Sequence, residues 1–104
     1  FELLEKAHKL AQKENLNVVV GSVLSSDFFY HEYPDSWKIW SDFEVKAIEM
    51  ETSQLYTLGL RDQVECLSIL TVSDHIPKGL HATHEEREKG FSAMAKLALD
   101  TISS

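Results

Sequence analysis

The hydrophobic pattern changes period along the chain, and this switching restricts the fold more than any other feature. Leu3, Leu4, Ala7, Leu10 and Ala11 recur at helical spacing from the first residues. A polar Lys13-Glu14-Asn15 break follows. Residues 17–24, Asn-Val-Val-Val-Gly-Ser-Val-Leu, are short and β-branched, the make-up of a buried strand. Residues 44–49 read as a second strand and residues 50–58 as a helix, with Gly59 as its stop. Residues 64–72 read as a third strand, because Cys66 to Val72 is almost unbroken apolar or small polar, as a strand covered on both faces requires. Thr83, with Glu86 three positions later, forms a capping box that opens a last helix, and Glu85 and Glu86 suit the positive end of its dipole. Helix, strand, loop, strand, helix, strand, helix is the alternation of an α/β fold, with a mixed, mainly parallel sheet flanked by helices.

Nothing divides this pattern. No repeat, low-complexity tract or Gly/Ser linker occurs, and Pro34 and Pro77 fall in polar stretches that read as loops, so residues 1–104 are expected to form a single segment. The helical periodicity starts at once behind Phe1, without an initiator methionine, so the segment is expected to be part of a larger domain. Residues 28–41 are aromatic-rich and acidic and read as an irregular loop, with one helical turn near residues 36–40. Seventeen Asp and Glu against ten Lys and Arg leave a net charge of −7, the wrong sign for tracking nucleic-acid phosphates. No apolar run approaches the ~20 residues of a membrane span, and no signal-peptide pattern opens the chain. Cys66 is the single cysteine and cannot form an internal disulfide, so a cytoplasmic protein is expected.

In α/β folds, ligands gather at the carboxyl ends of strands. The three expected strands end in Ser25-Ser26-Asp27, in Glu49 with Glu51 just beyond, and in Ser73-Asp74. A carboxylate directly after a buried strand, as at Asp74, is partly desolvated, the setting that equips a carboxylic acid to donate a proton near neutral pH. A simple turn cap is the alternative for Asp74. On the last helix Phe91, Met94, Ala98 and Ile102 form an apolar stripe, and one step back along it lies Arg87, whose inward guanidinium needs a partner. Asp74 is the natural one, although an ordinary buried ion pair accounts for the same pattern. Glu51 precedes Leu55 and Leu58 at i+4 and i+7, which puts its carboxylate on a buried stripe where it can accept from paired sugar hydroxyls. A helix N-terminal acid favoured by the dipole is the competing reading. His75, His81, His84 and Glu85 lack metal-ligand spacing, so no metal site is expected, and Cys66 reads as a core thiol. No nucleophile elbow, P-loop or dinucleotide fingerprint is present.

Ser25-Ser26-Asp27-Phe28-Phe29-Tyr30, Ala47-Ile48-Glu49-Met50-Glu51, Leu70-Thr71-Val72-Ser73-Asp74-His75-Ile76 and Glu86-Arg87, taken in this order, resemble the carboxyl-terminal half of bacterial-type, high-molecular-mass purine nucleoside phosphorylases. The resemblance runs from about residue 17 to the end. It implies a three-layer α/β/α fold and a cytoplasmic purine-salvage enzyme, a hexamer built from dimers. Such an enzyme reversibly converts a purine nucleoside and inorganic phosphate to free base and pentose 1-phosphate, with phosphate as co-substrate and no cofactor. By resemblance, Asp74 protonates the purine at N7 and Arg87 positions it. Glu49, Met50 and Glu51 hold the ribose, Phe29 stacks on the base, and Ile48 and Ser73 line the base pocket. The chain departs from the family pattern at Ile48, at Thr52-Ser53-Gln54 and in Pro77-Lys78-Gly79-Leu80. The family's phosphate-binding glycine and arginines belong to its amino-terminal half, and nothing here replaces them. Related nucleosidases share the Met-Glu and Ser-Asp motifs, while the Ser73 to Ile76 run followed by Arg87 matches the phosphorylase branch. A non-catalytic nucleoside-binding module, or an oligomerisation segment using Trp37, Trp40 and Phe43, is the reading from a different class.

Overall fold

Helix α1, Glu2–Lys13, forms where the periodicity places it, with Ala7 and Ala11 buried and Leu3, Leu4 and Leu10 half-buried on the same face. Glu2 and Glu5 in its first turn and Lys13 in its last complement the helix dipole, and Asn15 ends it in the left-handed region at φ 57°. The computed structural model describes residues 1–27 and 35–103, so the expected base-stacking residue Phe29 lies outside the described residues. These group into two compact units, one of Phe1–Val18 with Leu67–Ser104, the other of Val19–Cys66.

In the first unit α1 packs against α4, His84–Ser103, whose buried positions are Leu97 and Thr101. The Thr101 hydroxyl donates to the Leu97 carbonyl at 2.7 Å, so burying it leaves no orphan hydroxyl donor. Lys96 Nζ joins the two helices by reaching Glu14 at 2.7 Å and Asp100 at 2.8 Å. The hydrogen bonds it donates to Asp100 and then to Glu14 hold the ammonium above the usual lysine range. The expected stripe on α4 is offset: Phe91 and Ile102 are 62% and 72% exposed, and the covered face runs through Gly90, Met94, Leu97, Ala98 and Thr101. Thr71 causes the offset. It lies against Gly90, its hydroxyl 3.2 Å from the Gly90 carbonyl and 3.4 Å from Met94 Sδ, and a Cβ on residue 90 would collide with its γ-methyl.

The third expected strand, residues 64–72, has no ladder pairing among the described residues. Nor is the segment covered on both faces, since Val64, Leu70 and Val72 are 61%, 44% and 71% exposed; apolar composition alone supplies neither that cover nor the backbone partner a strand needs for its N–H and C=O groups. Ladder pairing begins only at β3, Asp74–His75, which runs antiparallel to β4, Leu80–His81. A 3₁₀ turn over Ile76–Lys78 and a left-handed Gly79 at φ 61° reverse the chain between them, where the polar stretch around Pro77 reads as a loop. The capping box is present as expected. The Thr83 hydroxyl accepts from the Glu86 N–H and the Glu86 carboxylate accepts from the Thr83 N–H, both at 3.1 Å. The backbone and side chain of Thr83 hold the Glu86 carboxyl below its usual range.

In the second unit β1, Ser22–Ser25, pairs in parallel with β2, Val45–Glu49, placing Leu24 opposite Ile48 and Ser25 opposite Glu49. Strand β1 is shorter than the expected 17–24 segment, and β2 starts one residue late because Glu44 is left-handed at φ 63°. The helical turn expected near residues 36–40 is α2, Trp37–Asp42, which packs on β2. Helix α3, Thr52–Asp62, packs on β1 and does not stop at Gly59. Gly59 is buried inside the helix, where a Cβ would lie 2.7 Å from Cys66 Sγ and 2.9 Å from the Val64 carbonyl oxygen. Gln63, left-handed at φ 57°, is the actual stop. The architecture is thus α/β, with one parallel and one antiparallel strand pair among the described residues.

Replacing a helical glycine by alanine ordinarily stabilises by about 1 kcal/mol. At Gly90 the sign reverses, because the new methyl meets a β-branched side chain already held by its hydroxyl. Gly90→Ala is therefore expected to lower the urea midpoint, and adding Thr71→Ser, which removes the obstructing methyl, should restore it to the wild-type value or above.

Candidate functional site

The end of β2 is organised by Glu49. One carboxylate oxygen accepts from the Ser25 hydroxyl across the parallel pair, and Oε2 accepts from the backbone N–H groups of Glu51 and Thr52, both at 2.7 Å. Ser25 Oγ in turn accepts from the Ser53 N–H at 2.8 Å. Parallel register produces this arrangement by placing Ser25 directly across from Glu49, and a helix start supplies amides that have no intrahelical acceptor. Burial pushes the Glu49 carboxyl up, but hydrogen bonds from Ser25, the amides of Glu51 and Thr52, and the Thr52 side chain outweigh it and hold the value at about 2.

Met50 and Glu51 follow immediately, and both are exposed. Glu51 is not on a buried helical stripe, and Leu55 and Leu58 are themselves each 40% exposed. With φ −128° Glu51 sits at the N-cap, one step before helical geometry begins, so the i+4 and i+7 relation does not govern its side chain. Ile48 is half-buried on β2.

The second cluster lies at β3. Asp74 is well covered, its side chain 19% exposed, and its Oδ1 lies 3.0 Å from His81 Nδ1 and 4.0 Å from Arg87 Nη2. The expected Asp74 and Arg87 pairing is thus present, but the guanidinium is half-exposed rather than turned into the core. It stands at the edge of a cleft of about 290 Å³ that also has Thr71, Ser73, Phe91 and Met94 among its walls. The Ser73 hydroxyl is 3.5 Å from Asp74 Oδ2, and the Ser73 carbonyl accepts from the Ala82 N–H, extending the hairpin by one bond. The His81 contact was not anticipated. Its signal in the sequence is the Pro77-Lys78-Gly79 turn midway between residues 74 and 81, which makes them cross-strand neighbours.

The structure therefore brings Ser73, Asp74 and Arg87 together in one unit, and Ile48, Glu49, Met50 and Glu51 in the other. A family model described as the phosphorylase superfamily matches residues 1–103. The chain belongs to the phosphorylase superfamily. It is 48% identical over 100 residues to the DeoD-type purine nucleoside phosphorylase of Thermoanaerobacter pseudethanolicus, covering 96% of this chain and 43% of that protein. The proteins of the same name from Caldanaerobacter subterraneus and Brevibacillus brevis are 46% and 48% identical over the same shares. The chain spans less than half the length of these relatives. Its α/β architecture with a parallel strand pair agrees with phosphorylase superfamily membership.

The Glu49 network carries a pH signature. Its folded value lies below the ordinary 4.5, so the folded state favours the carboxylate and gains stability from it above about pH 4.5. That gain is lost as pH falls through the folded value of about 2. The stability difference between wild type and Glu49→Gln, followed by urea unfolding against pH, should be constant at neutral pH and shrink below pH 4.5.

Proposed function

We propose that the protein containing this chain is a purine nucleoside phosphorylase, which splits a purine nucleoside with inorganic phosphate into free base and pentose 1-phosphate. The observation that carries this reading is Asp74, a covered carboxylate at the start of β3 with Ser73 beside it and Arg87 at the edge of the adjoining cleft. It is supported by similarity to three DeoD-type purine nucleoside phosphorylases.

The chemistry has one demanding requirement. As the bond from the sugar to N9 breaks, the purine leaves with the bonding pair, and a proton at N7 turns a poor anionic leaving group into a neutral one. Asp74 is the acid that supplies this proton, and the Arg87 guanidinium stabilises the carboxylate left behind. Glu51, with its carboxylate exposed next to Met50, accepts from the pentose hydroxyls, while Ile48, Ser73 and Phe29 contact the base. Both oxygens of Glu49 are engaged by the chain itself, so Glu49 serves the pentose by fixing the backbone of residues 51 and 52. Phosphate enters as co-substrate with no cofactor, on residues outside this chain. We further propose a cytoplasmic homo-oligomer, a hexamer built from dimers.

In the complete protein, inosine cleavage should consume one phosphate per hypoxanthine released and fall to background when phosphate is omitted. Equal turnover without phosphate, with free ribose as product, assigns a nucleosidase instead, and nucleoside binding without turnover assigns a binding module. Glu51→Ala should raise the nucleoside KM by about tenfold or more, the scale of hydrogen bonds to a charged group.

A further inference from the structure

We infer that His81 is a positioning residue for Asp74, holding Oδ1 so that the transferable proton resides on Oδ2. This rests on the acid role proposed above for Asp74. Two independent observations support it. The β3 and β4 register places Asp74 and His81 directly opposite each other, so the backbone brings their side chains together. The imidazole Nδ1 then sits 3.0 Å from Oδ1, a full 1 Å nearer than Arg87 Nη2 at 4.0 Å. His81, rather than Arg87, makes the hydrogen bond to this carboxylate.

The two oxygens of Asp74 are unequally served. Oδ1 has both His81 and Arg87, while among the described residues Oδ2 has only the Ser73 hydroxyl, at the long distance of 3.5 Å. An ionised carboxylate only accepts hydrogen bonds, so Nδ1 must carry a hydrogen. The carbonyl oxygen of a protonated acid also only accepts, so an imidazole that keeps its hydrogen on Nδ1 makes the same bond to Oδ1 in both states of Asp74. The proton is thereby assigned to Oδ2. In the reaction the Oδ2–H bond breaks as N7–H forms, the C1′–N9 pair leaves on the purine, and a phosphate oxygen bonds to C1′. His81 keeps its own proton throughout, and its contribution is to fix the plane and the proton-bearing edge of the acid.

On α4, His84 Nε2 is engaged by Glu88 at 2.9 Å. His81 is largely exposed, its side chain 75% accessible, so replacing it should leave folding intact. Asparagine places an amide N–H near the position of Nδ1, whereas leucine has no donor. In the complete protein, His81→Leu is expected to lower kcat for inosine phosphorolysis by about tenfold with the nucleoside KM changed less than twofold, and His81→Asn to recover at least half of the wild-type kcat. A His81→Leu enzyme at the wild-type rate, or a His81→Asn enzyme as impaired as His81→Leu, would overturn the proposal. A wild-type protein that releases no base from inosine in the presence of phosphate overturns the acid role of Asp74, and this inference with it.

Discussion

A single carboxylate ties together the end of one strand, the end of its neighbour and the start of a helix. Glu49 takes the Ser25 hydroxyl on one oxygen and the amides of Glu51 and Thr52 on the other, and Ser25 accepts from Ser53 in turn. The sequence requirement is strict: a parallel register with Ser opposite Glu, then a sharp exit from the strand into α3. Without the carboxylate the first amides of α3 lose their acceptor, and a helix start left without acceptors is destabilised. The same bond pattern determines what can face outward, because it fixes the backbone from which the Met50 and Glu51 side chains emerge.

The carboxylate at β3 is held in a different way, and the difference supports the separate roles proposed for the two. Glu49 has donors on both oxygens, and they keep it ionised far into the acid range. Among the described residues Asp74 has one close donor, His81 at 3.0 Å on Oδ1, with Arg87 4.0 Å from the same oxygen. A carboxylate with both oxygens occupied serves as an anchor; the acid role proposed for Asp74 falls on the carboxylate that has a lightly served edge. Environments that treat two carboxylates differently are how one protein assigns separate tasks to the same functional group. The hairpin that holds Asp74 is minimal, two residues on each side, and is lengthened by the Ala82 to Ser73 bond before the capping box at Thr83 starts α4.

Local signals in the sequence were the most informative. The α1 stripe, its end at Asn15, the capping box and the presence of β2 all follow from nearest-neighbour chemistry, and the pairing of Asp74 with Arg87 follows from helical spacing. Features that depend on backbone partners were less visible. Residues 64–72 have a strand's composition but no ladder among the described residues, and Val64, Leu70 and Val72 are exposed, because composition fixes neither what bonds the backbone nor what covers the side chains. Gly59 resembles a helix stop but is glycine because Cys66 and the Val64 carbonyl crowd it. The α4 stripe shifts because Thr71 seats on Gly90. Glu51 leaves the expected stripe because it precedes the helix, and His81 approaches Asp74 through a turn whose register is set by three residues, Pro77, Lys78 and Gly79.

The central claim is that Asp74 supplies the proton that makes the purine a competent leaving group. Guanosine methylated at N7 tests it most directly, because its base already carries the positive charge that protonation would create. The account predicts that in the complete protein Asp74→Asn lowers kcat for guanosine by about 10²- to 10⁴-fold while phosphorolysis of 7-methylguanosine stays within a few-fold of wild type. Parallel losses on the two substrates would contradict it.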